Sequence, residues 1–78
     1  MTLTEIAQLV DARGLSCPMP IVRTAQAMKP LPSGSVVEVL ATDPGSVKDF
    51  AAWCRSTGHE LLECSSDVAV YRFVIRRK

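Results

Sequence analysis

The chain has 78 residues, of which 47% are hydrophobic and 22% charged, and its formal net charge is +1. We expect a single domain over residues 1–78 with one modest core, because a chain this short buries only about 60–65% of its unfolded surface. That size leaves no room for an internal active-site cavity, so any chemistry must take place at the surface. The nearly neutral charge gives no reason to expect nucleic-acid binding.

The three cysteines, Cys17, Cys54 and Cys64, are far apart in the sequence. They form neither a C-x-x-C pair nor a metal-type spacing, so a metal site built from them and His59 is a weak alternative and no cofactor is expected. An odd number of cysteines argues against a disulfide framework and favours a reducing cytoplasm. The first residues lack a basic segment and a long apolar run, so we expect neither a signal peptide nor a membrane span.

The first half of the chain predicts a strand, a helix and a strand. Residues 1–5 are expected to be a loose start, and residues 6–12 alternate enough for a first strand. Residues 18–29 predict a helix, because apolar residues recur there at helical spacing: Ile21, Val22, Ala25 and Met28. Residues 35–41 are rich in β-branched side chains and predict a central strand.

The second half predicts a helix followed by a hairpin. After a turn at residues 42–45, Ser46 is the expected N-cap of the helix, with Asp49 close to the capping-box position and Gly58 as the C-terminal stop. One helical face is apolar: Val47, Phe50, Ala51 and Cys54. Residues 59–65 and 68–76 then predict two strands joined by a tight turn around residues 65–67.

The element order is therefore β-α-β-α-β-β. It predicts an α+β fold, a two-layer sandwich in which a four-stranded mixed sheet carries both helices on one face and leaves the other face open. Alternation along the fourth strand assigns one row to the core, namely Ala69, Tyr71, Phe73 and Ile75. The other row is expected to face outward: Val70, Arg72, Val74 and Arg76.

The most informative stretch is residues 14–20, G-L-S-C-P-M-P. Proline is tolerated in the first helical turn, so Pro18 fits the first helical position, Pro20 the third and Cys17 the N-cap. The sulfur would then lie over the positive end of the helix dipole, and we expect the pKa of Cys17 to lie below its ordinary value of about 8.5. The alternative is that Cys17 is a small buried hydrophobic residue.

The other candidate functional residues are more simply interpreted as structural. Cys54 is expected to be buried on its helical stripe, Cys64 to be structural and Trp53 to provide packing bulk. His59 follows a glycine and is expected in a turn, unless the fold brings it to Cys17 as a base. Four basic residues near the end of the chain are either solvated or a docking site for an acidic partner: Arg72, Arg76, Arg77 and Lys78.

The pattern Gly14-Leu15-x-Cys17-Pro18-x-Pro20 resembles the signature of the TusA/SirA-like family of small sulfur carriers. Further matching features are Asp11, Thr42-Asp43-Pro44, Trp53 and Gly58-His59. The resemblance implies the same two-layer fold. It also implies that Cys17 carries sulfane sulfur as a persulfide, or a thiosulfonate, and passes it between partner proteins.

The partners that the resemblance implies are a sulfur donor, of the sulfurtransferase or cysteine desulfurase type, and a sulfur acceptor. Gly14 would let a partner approach Cys17 closely. Arg13 is interpreted either as a source of positive charge beside the thiol or as an ordinary solvated arginine. A carrier of this kind needs an exposed thiol on a rigid base and no substrate pocket, so it is not a self-contained enzyme.

Two functions from different classes follow. The first is a sulfur relay in tRNA thiolation, in cofactor biosynthesis or in the oxidation of reduced sulfur compounds. The second is a regulatory or interaction module that docks partners through the open sheet face without using the thiol. For either function we expect a monomer or a weak dimer, with no direct contact to nucleic acid or membrane.

Overall fold

The computed structural model describes residues 5–78. It contains β1 (Ile6–Ala12), α1 (Met19–Met28), β2 (Val36–Ala41), α2 (Ser46–Thr57), β3 (Glu60–Asp67) and β4 (Val70–Arg76). The predicted order of elements is confirmed, while the expected loose start lies outside the described residues except for Glu5. No helix within residues 5–78 is long and apolar enough to cross a membrane.

The four strands form one mixed sheet in the order β1-β2-β4-β3. β1 and β2 are parallel and are joined through α1, whereas the β2–β4 and β4–β3 pairs are antiparallel. Ala12 pairs with Ala41, and Ala41 pairs with Tyr71. We call this the carboxyl end of the sheet, because β1 and β2 finish there, and the other end, where Val36 pairs with Arg76, the amino end.

The core lies between the sheet and the two helices. Phe50 of α2 stacks on Phe73 of β4 with ring centroids 4.5 Å apart, and both side chains are fully buried. The helices also contact each other, so they lie on one face of the sheet. The predicted two-layer fold is therefore confirmed. The remaining buried members of this core are Val10, Met28, Val37, Val39, Ala41, Cys54 and Ile75.

The buried faces of the helices agree only in part with the predicted ones, since Met28, Phe50 and Cys54 are buried as predicted. On α1 the fully buried side chain is Thr24, whose hydroxyl donates to the carbonyl of Pro20 at 2.8 Å and so needs no other partner. Val22 and Ala25 are only half-buried. On α2 the predicted core residue Val47 is instead 37% exposed. On α1, apolar spacing alone could not locate Thr24 in the core, because an internally bonded threonine can replace a hydrophobic residue.

Both helices begin one residue away from the predicted start. Pro18 is the N-cap of α1, so Pro20 occupies the second helical position. Gly45 is the N-cap of α2, which makes Ser46 the first helical residue and not the cap. Among the described residues the buried Ser46 hydroxyl has no hydrogen-bond partner. The end of α2 was predicted correctly, since Gly58 adopts the left-handed conformation with φ of 87°.

The hairpin between β3 and β4 turns later than predicted. Residues 65–67 belong to β3, and the turn is formed by Val68 and Ala69, both with positive φ. Ala69 is therefore exposed at the turn and does not belong to the core row. A valine in this conformation is uncommon, so the usual glycine and asparagine turn signals could not locate it.

The outer face of the sheet also departs from the prediction at one position. Val74, expected to face solvent, is only 5% exposed. Arg72 forms ion pairs with Glu38 and Glu63 across the neighbouring strands, and Arg76 pairs with Glu60 at 2.9 Å. The long aliphatic parts of paired side chains can cover apolar surface, which accounts for a buried valine on a face without helices.

Candidate functional site

Cys17 lies in the loop between β1 and α1, at the carboxyl end of the sheet, and it is exposed. The loop begins with a tight turn in which Leu15 N–H donates to the Ala12 carbonyl at 3.2 Å. Gly14 has φ of 82°, a conformation that favours glycine. Its N–H donates to Thr42 Oγ1 at 2.9 Å, which ties the loop to the end of β2. Gly14 therefore forms the turn that leads from β1 into the cysteine loop.

Asp43 connects this loop to the start of α2. Its Oδ2 atom accepts a hydrogen bond from Cys17 N–H at 2.9 Å, and its Oδ1 atom accepts one from Gly45 N–H at 3.2 Å. The carbonyl of Asp43 also accepts the N–H of Ser46 at 2.9 Å. One carboxylate therefore fixes the backbone of the cysteine against a loop 26 residues further along the chain.

The start of α1 differs from the predicted N-cap arrangement. Cys17 precedes the N-cap residue Pro18, to which it is joined by a cis peptide bond, and no side chain caps the helix. Pro18 is exposed, whereas Pro20 is buried and packs under the first turn. Met19 N–H donates to the Ser16 carbonyl at 2.9 Å. The helix thus begins at Met19, one position later than expected, and Pro18 separates it from the cysteine.

The electrostatic surroundings of Cys17 contradict the predicted activation by the helix. The pKa of the Cys17 thiol is raised, first by the nearby Asp49 carboxylate, which favours the protonated sulfur. Partial desolvation and the negative charges of Asp49 and Asp43 act in the same direction. The expectation of a lowered pKa was wrong because Cys17 lies outside the helix and two carboxylates surround it.

Arg13 does not supply the positive charge that one interpretation assigned to it. Its guanidinium pairs with Asp11 through Nε–Oδ1 and Nη2–Oδ2 contacts of 2.8 and 2.9 Å. These hydrogen bonds lower the pKa of Asp11 to about 2. Arg13 is not among the groups that shift the pKa of Cys17. It is therefore a surface arginine committed to its neighbour two residues away.

Two partly exposed apolar side chains stand at the starts of the helices. Met19, two residues after Cys17, is 43% exposed, and Val47 of α2, two residues before Asp49, is 37% exposed. A Cβ built on Gly14 would meet nothing within 4 Å, so the loop on the other side of Cys17 is open. The cysteine therefore lies on an uncovered surface that has both apolar and acidic groups.

The three cysteines differ in accessibility. Cys54 is buried among core residues, as predicted, and burial raises the pKa of its thiol. Cys64 is exposed on β3, an edge strand, so the expectation of a structural role in packing is wrong. Exposure alone therefore does not distinguish Cys17 from Cys64. Cys17 is distinguished from Cys64 by the ordered, hydrogen-bonded loop that holds it.

His59 lies at the amino end of the sheet, far from Cys17, and cannot act as its base. Its Nδ1 atom accepts the N–H of Lys78 at 2.9 Å, and its ring packs against Trp53 with centroids 5.0 Å apart. Trp53 also meets Phe50 edge to face, which confirms its predicted packing role. Burial and the charges of Arg77 and Lys78 lower the pKa of His59.

The four basic residues near the end of the chain do not form a free patch. Arg72 and Arg76 are paired with glutamates on the outer sheet face. Arg77 Nε donates to the carbonyl of Met28 at 3.0 Å and so closes the end of α1. Glutamates therefore balance two of these four charges within the fold, whereas Arg77 and Lys78 keep their charges at the amino end of the sheet.

Sequence reasoning missed the part that Asp43 and Asp49 play around the thiol. Asp43 was noticed only within a turn motif, and Asp49 only as a helix-capping residue. The positions of both aspartates after β2 nevertheless indicated that they would lie near the loop that follows β1. Because β1 and β2 are parallel neighbours, the loops that follow them meet at the same edge of the sheet.

Comparison with known proteins agrees with this arrangement. Residues 8–77 match the family described as Sulfurtransferase TusA. The chain is 49% identical over 70 residues to YrkI of Bacillus subtilis, covering 90% of this chain and 93% of that protein. It is 43% identical over 75 residues to the sulfur carrier protein TusA of Allochromatium vinosum, covering 96% and 99% of the two chains.

A solved structure supports the same assignment. The SirA-like protein of Desulfitobacterium hafniense superposes with a TM-score of 0.78 at 28% identity, over 88% of this chain and 95% of the other. The match includes the sheet order and both helices, which are the elements that present Cys17. On the family match, the relatives and the shared fold, the chain belongs to the TusA sulfurtransferase family.

Proposed function

We propose that this protein is a sulfur carrier that accepts sulfane sulfur on Cys17 as a persulfide and delivers it to a partner protein. The observation that carries the proposal is an exposed cysteine held in an ordered loop, in a chain of the TusA family. The relative from Allochromatium vinosum is named a sulfur carrier protein. The family assignment supports this function and not a thiol-independent docking module.

The chemistry requires little beyond a positioned sulfur. The Cys17 sulfur attacks the terminal sulfur of a donor persulfide, a new S–S bond forms on Cys17, and the donor cysteine leaves as a thiolate. Delivery is the same exchange with Cys17 as the leaving group. The Asp43 hydrogen bond to Cys17 N–H, with Gly14 bonded to Thr42, keeps the sulfur at one place on the surface.

The partners are accordingly one protein that donates sulfur and one that accepts it. The donor is a sulfurtransferase or a cysteine desulfurase, and the carrier works in the cytoplasm as a monomer or weak dimer. The pathway served is tRNA thiolation, cofactor biosynthesis or sulfur oxidation, and in the last case the cargo on Cys17 can be a thiosulfonate. We propose that residues 1–78 form one carrier domain.

Intact-mass measurement after incubation with a sulfur donor tests the proposal. The wild-type protein should gain the mass of one sulfur atom, and reduction should remove it. Cys17→Ser should abolish the gain in mass, because a serine hydroxyl cannot form a persulfide.

The matched control is Cys64→Ser, since Cys64 is the other exposed thiol of the described chain. This variant should load as well as wild type. Loading that survives in Cys17→Ser and disappears in Cys64→Ser would reject Cys17 as the carrier residue.

A further inference from the structure

Large apolar side chains are exposed at five positions of residues 5–78, and two of them stand at the helix starts near Cys17. Met19 is 43% exposed and Val47 is 37% exposed. The other three are Ile6 and Leu9 on β1 and Val68 at the hairpin tip. Single exposed apolar residues are common on protein surfaces, so exposure alone assigns no role to any of them. Met19 and Val47 differ from the others in their position relative to the sulfur.

The local structure holds both side chains at the same end of the sheet as Cys17. Met19 is the first residue of α1, two residues after the cysteine. Val47 is the second residue of α2, whose N-cap Gly45 donates its N–H to the Asp43 carboxylate at 3.2 Å. The same carboxylate accepts the N–H of Cys17 at 2.9 Å. The cysteine and the starts of both helices therefore belong to one hydrogen-bonded surface.

Sulfur transfer requires a protein partner to cover this surface. The S–S bond that forms is about 2 Å long, so the donor cysteine must come into direct contact with Cys17. Even a transient protein–protein contact covers about 500 Å² on each partner, a patch roughly 25 Å across, and the Cα positions of this chain span only 30 × 26 × 19 Å. A patch of that size around Cys17 includes the first residues of α1 and α2.

A methionine suits a surface that must fit more than one partner. Its side chain is unbranched and carries a polarisable thioether, so it adapts to differently shaped apolar surfaces. Methionine is also enriched in protein interfaces, whereas charged residues are depleted at their centres. A carrier meets a donor and then an acceptor at the same sulfur, so both proteins cover Met19 in turn. The position and the chemistry of Met19 therefore agree.

Building on the proposed carrier function, we infer that Met19 is the apolar anchor on which a sulfur-donor protein docks, with Val47 extending the contact. The donor that fits presents an exposed apolar side chain next to its persulfide cysteine. Once it is docked, Cys17 loses its proton to water as Sγ bonds to the terminal sulfur of the donor. The donor S–S bond breaks, and the donor cysteine leaves as a thiolate. Met19 and Val47 position the donor and do not touch the reacting atoms.

Loading kinetics with protein donors and a small donor test the anchor. The protein donors are a cysteine desulfurase loaded from cysteine and a sulfurtransferase loaded from thiosulfate, and the small donor is glutathione persulfide. With the protein donor that loads Cys17, Met19→Ser should raise KM for the carrier about fivefold at nearly unchanged kcat, because the uncovered part of the methionine no longer contributes to docking. Loading from glutathione persulfide, which needs no docking surface, should change less than about twofold.

Three further variants show whether the effect belongs to the apolar side chain. Met19→Leu should return KM to within about twofold of wild type, because leucine restores a similar apolar volume. Val47→Ser should raise KM, but less than Met19→Ser does. Leu9→Ser is the matched control, since it removes an apolar residue that is 52% exposed on β1, away from the helix starts. It should leave KM unchanged.

A second measurement needs no protein partner. In the Cys64→Ser background, Cys17 is alkylated with N-ethylmaleimide and with N-hexylmaleimide, and the ratio of the two rates is divided by the same ratio for free cysteine. The longer reagent should be favoured about threefold in wild type, because its chain reaches apolar surface beside the sulfur. Met19→Ser should bring the corrected ratio close to that of free cysteine, whereas Leu9→Ser should not change it.

Each outcome decides the inference. If Met19→Ser and Leu9→Ser give the same KM, or if wild type shows no preference for the longer maleimide, Met19 is not an anchor. If Cys17 loads from glutathione persulfide but from neither protein donor, the docking surface is refuted and the carrier chemistry stands. If Cys17 loads from none of the three donors, the carrier function fails, and the docking inference fails with it.

Discussion

The two ends of the sheet use opposite chemistry for the same structural task. At the carboxyl end, loops are tied together by acceptor side chains: Thr42 accepts from Gly14 N–H and Asp43 accepts from Cys17 N–H. At the amino end they are tied by Arg77, whose guanidinium reaches the Met28 carbonyl, and by Lys78 N–H bonded to His59. The first end is acidic and the second is basic.

This difference explains why the thiol has a raised pKa. The backbone of the β1–α1 loop offers N–H donors to its neighbour, so the neighbouring loop must supply acceptors, and a carboxylate is a strong one. The groups that hold Cys17 in place are therefore the same kind of groups that oppose its ionisation. Positioning and activation compete at this site, whereas at the amino end the charges of Arg77 and Lys78 act on the packed ring of His59 and not on a thiol.

The largest effect on stability is expected from Asp43→Ala, which removes the carboxylate that joins two loops by hydrogen bonds at the carboxyl end. Two N–H groups, those of Cys17 and Gly45, lose a charged acceptor, and we expect a loss of about 2 kcal/mol in the free energy of unfolding. Urea denaturation measures it. Asp67→Ala, an exposed carboxylate of β3, is the control and should cost under about 0.5 kcal/mol. Equal effects of the two variants would show that Asp43 holds nothing.

Arg77→Ala removes the corresponding side-chain contact at the amino end. The free energy of unfolding should fall by less, about 1 kcal/mol, because a single side-chain hydrogen bond to the Met28 carbonyl is lost. Denaturation by urea again measures the change, with the exposed Arg23→Ala as the control. The alkylation kinetics of Cys17 should be unchanged in Arg77→Ala. A change there would mean that the two ends are not independent.

The ends should also respond to pH in different ranges. The pKa of His59 is lowered from its usual 6.5 by burial and by Arg77 and Lys78, so the unfolded chain binds this proton more readily than the folded one. The stability that His59 contributes is complete above about 6.5 and is lost as pH falls through the lowered pKa. His59→Asn, which keeps an acceptor for Lys78 N–H, should remove this dependence. The prediction would be contradicted if wild type and variant had the same pH profile of stability between about 7.5 and 5.5 (roughly one unit either side of the unperturbed histidine pKa).

The smallest effect is expected at the carboxyl end in strong acid. Asp11, paired with Arg13, has its pKa lowered from 3.8 to about 2. The unfolded state therefore binds this proton first, so the contribution of Asp11 is complete above 3.8 and is lost as pH falls through about 2. Both side chains are exposed, so the effect is small. Asp11→Asn should flatten this part of the acid-denaturation profile, and an unchanged profile would show that the pair contributes nothing.

Much of the fold could be predicted because its signals are local. Period-two alternation located the strands, the apolar runs located the helices, and Gly58 marked the end of α2. What failed depends on neighbours distant in sequence. Val74 is buried on the sheet face where Arg72 pairs with Glu38 and Glu63 across three strands, and the hydrogen bond between Asp43 and Cys17 spans 26 residues.

For the candidate site too, local features could be predicted from the sequence and contacts between distant elements could not. The motif around Cys17 predicts this cysteine as the functional one, because prolines and a glycine impose recognisable local geometry. The sign of its pKa shift could not be predicted from that motif, since the helix begins one residue later than expected and the decisive carboxylates belong to other elements. The local sequence is the basis for proposing the Cys17 sulfur as the reactive atom, whereas the tertiary structure determines the charges around it.

The hairpin tip offers an experimental handle on partner binding. Val68 is 91% exposed in a turn with positive φ, and the turn lies at the same sheet end as Cys17 but beside β3 and not β1. A fluorophore attached at this position would disturb no packing and would lie away from the reacting sulfur. Its emission would then report the arrival of a donor over the carboxyl end while Cys17 remained free to react, so docking and chemistry could be timed separately in one molecule.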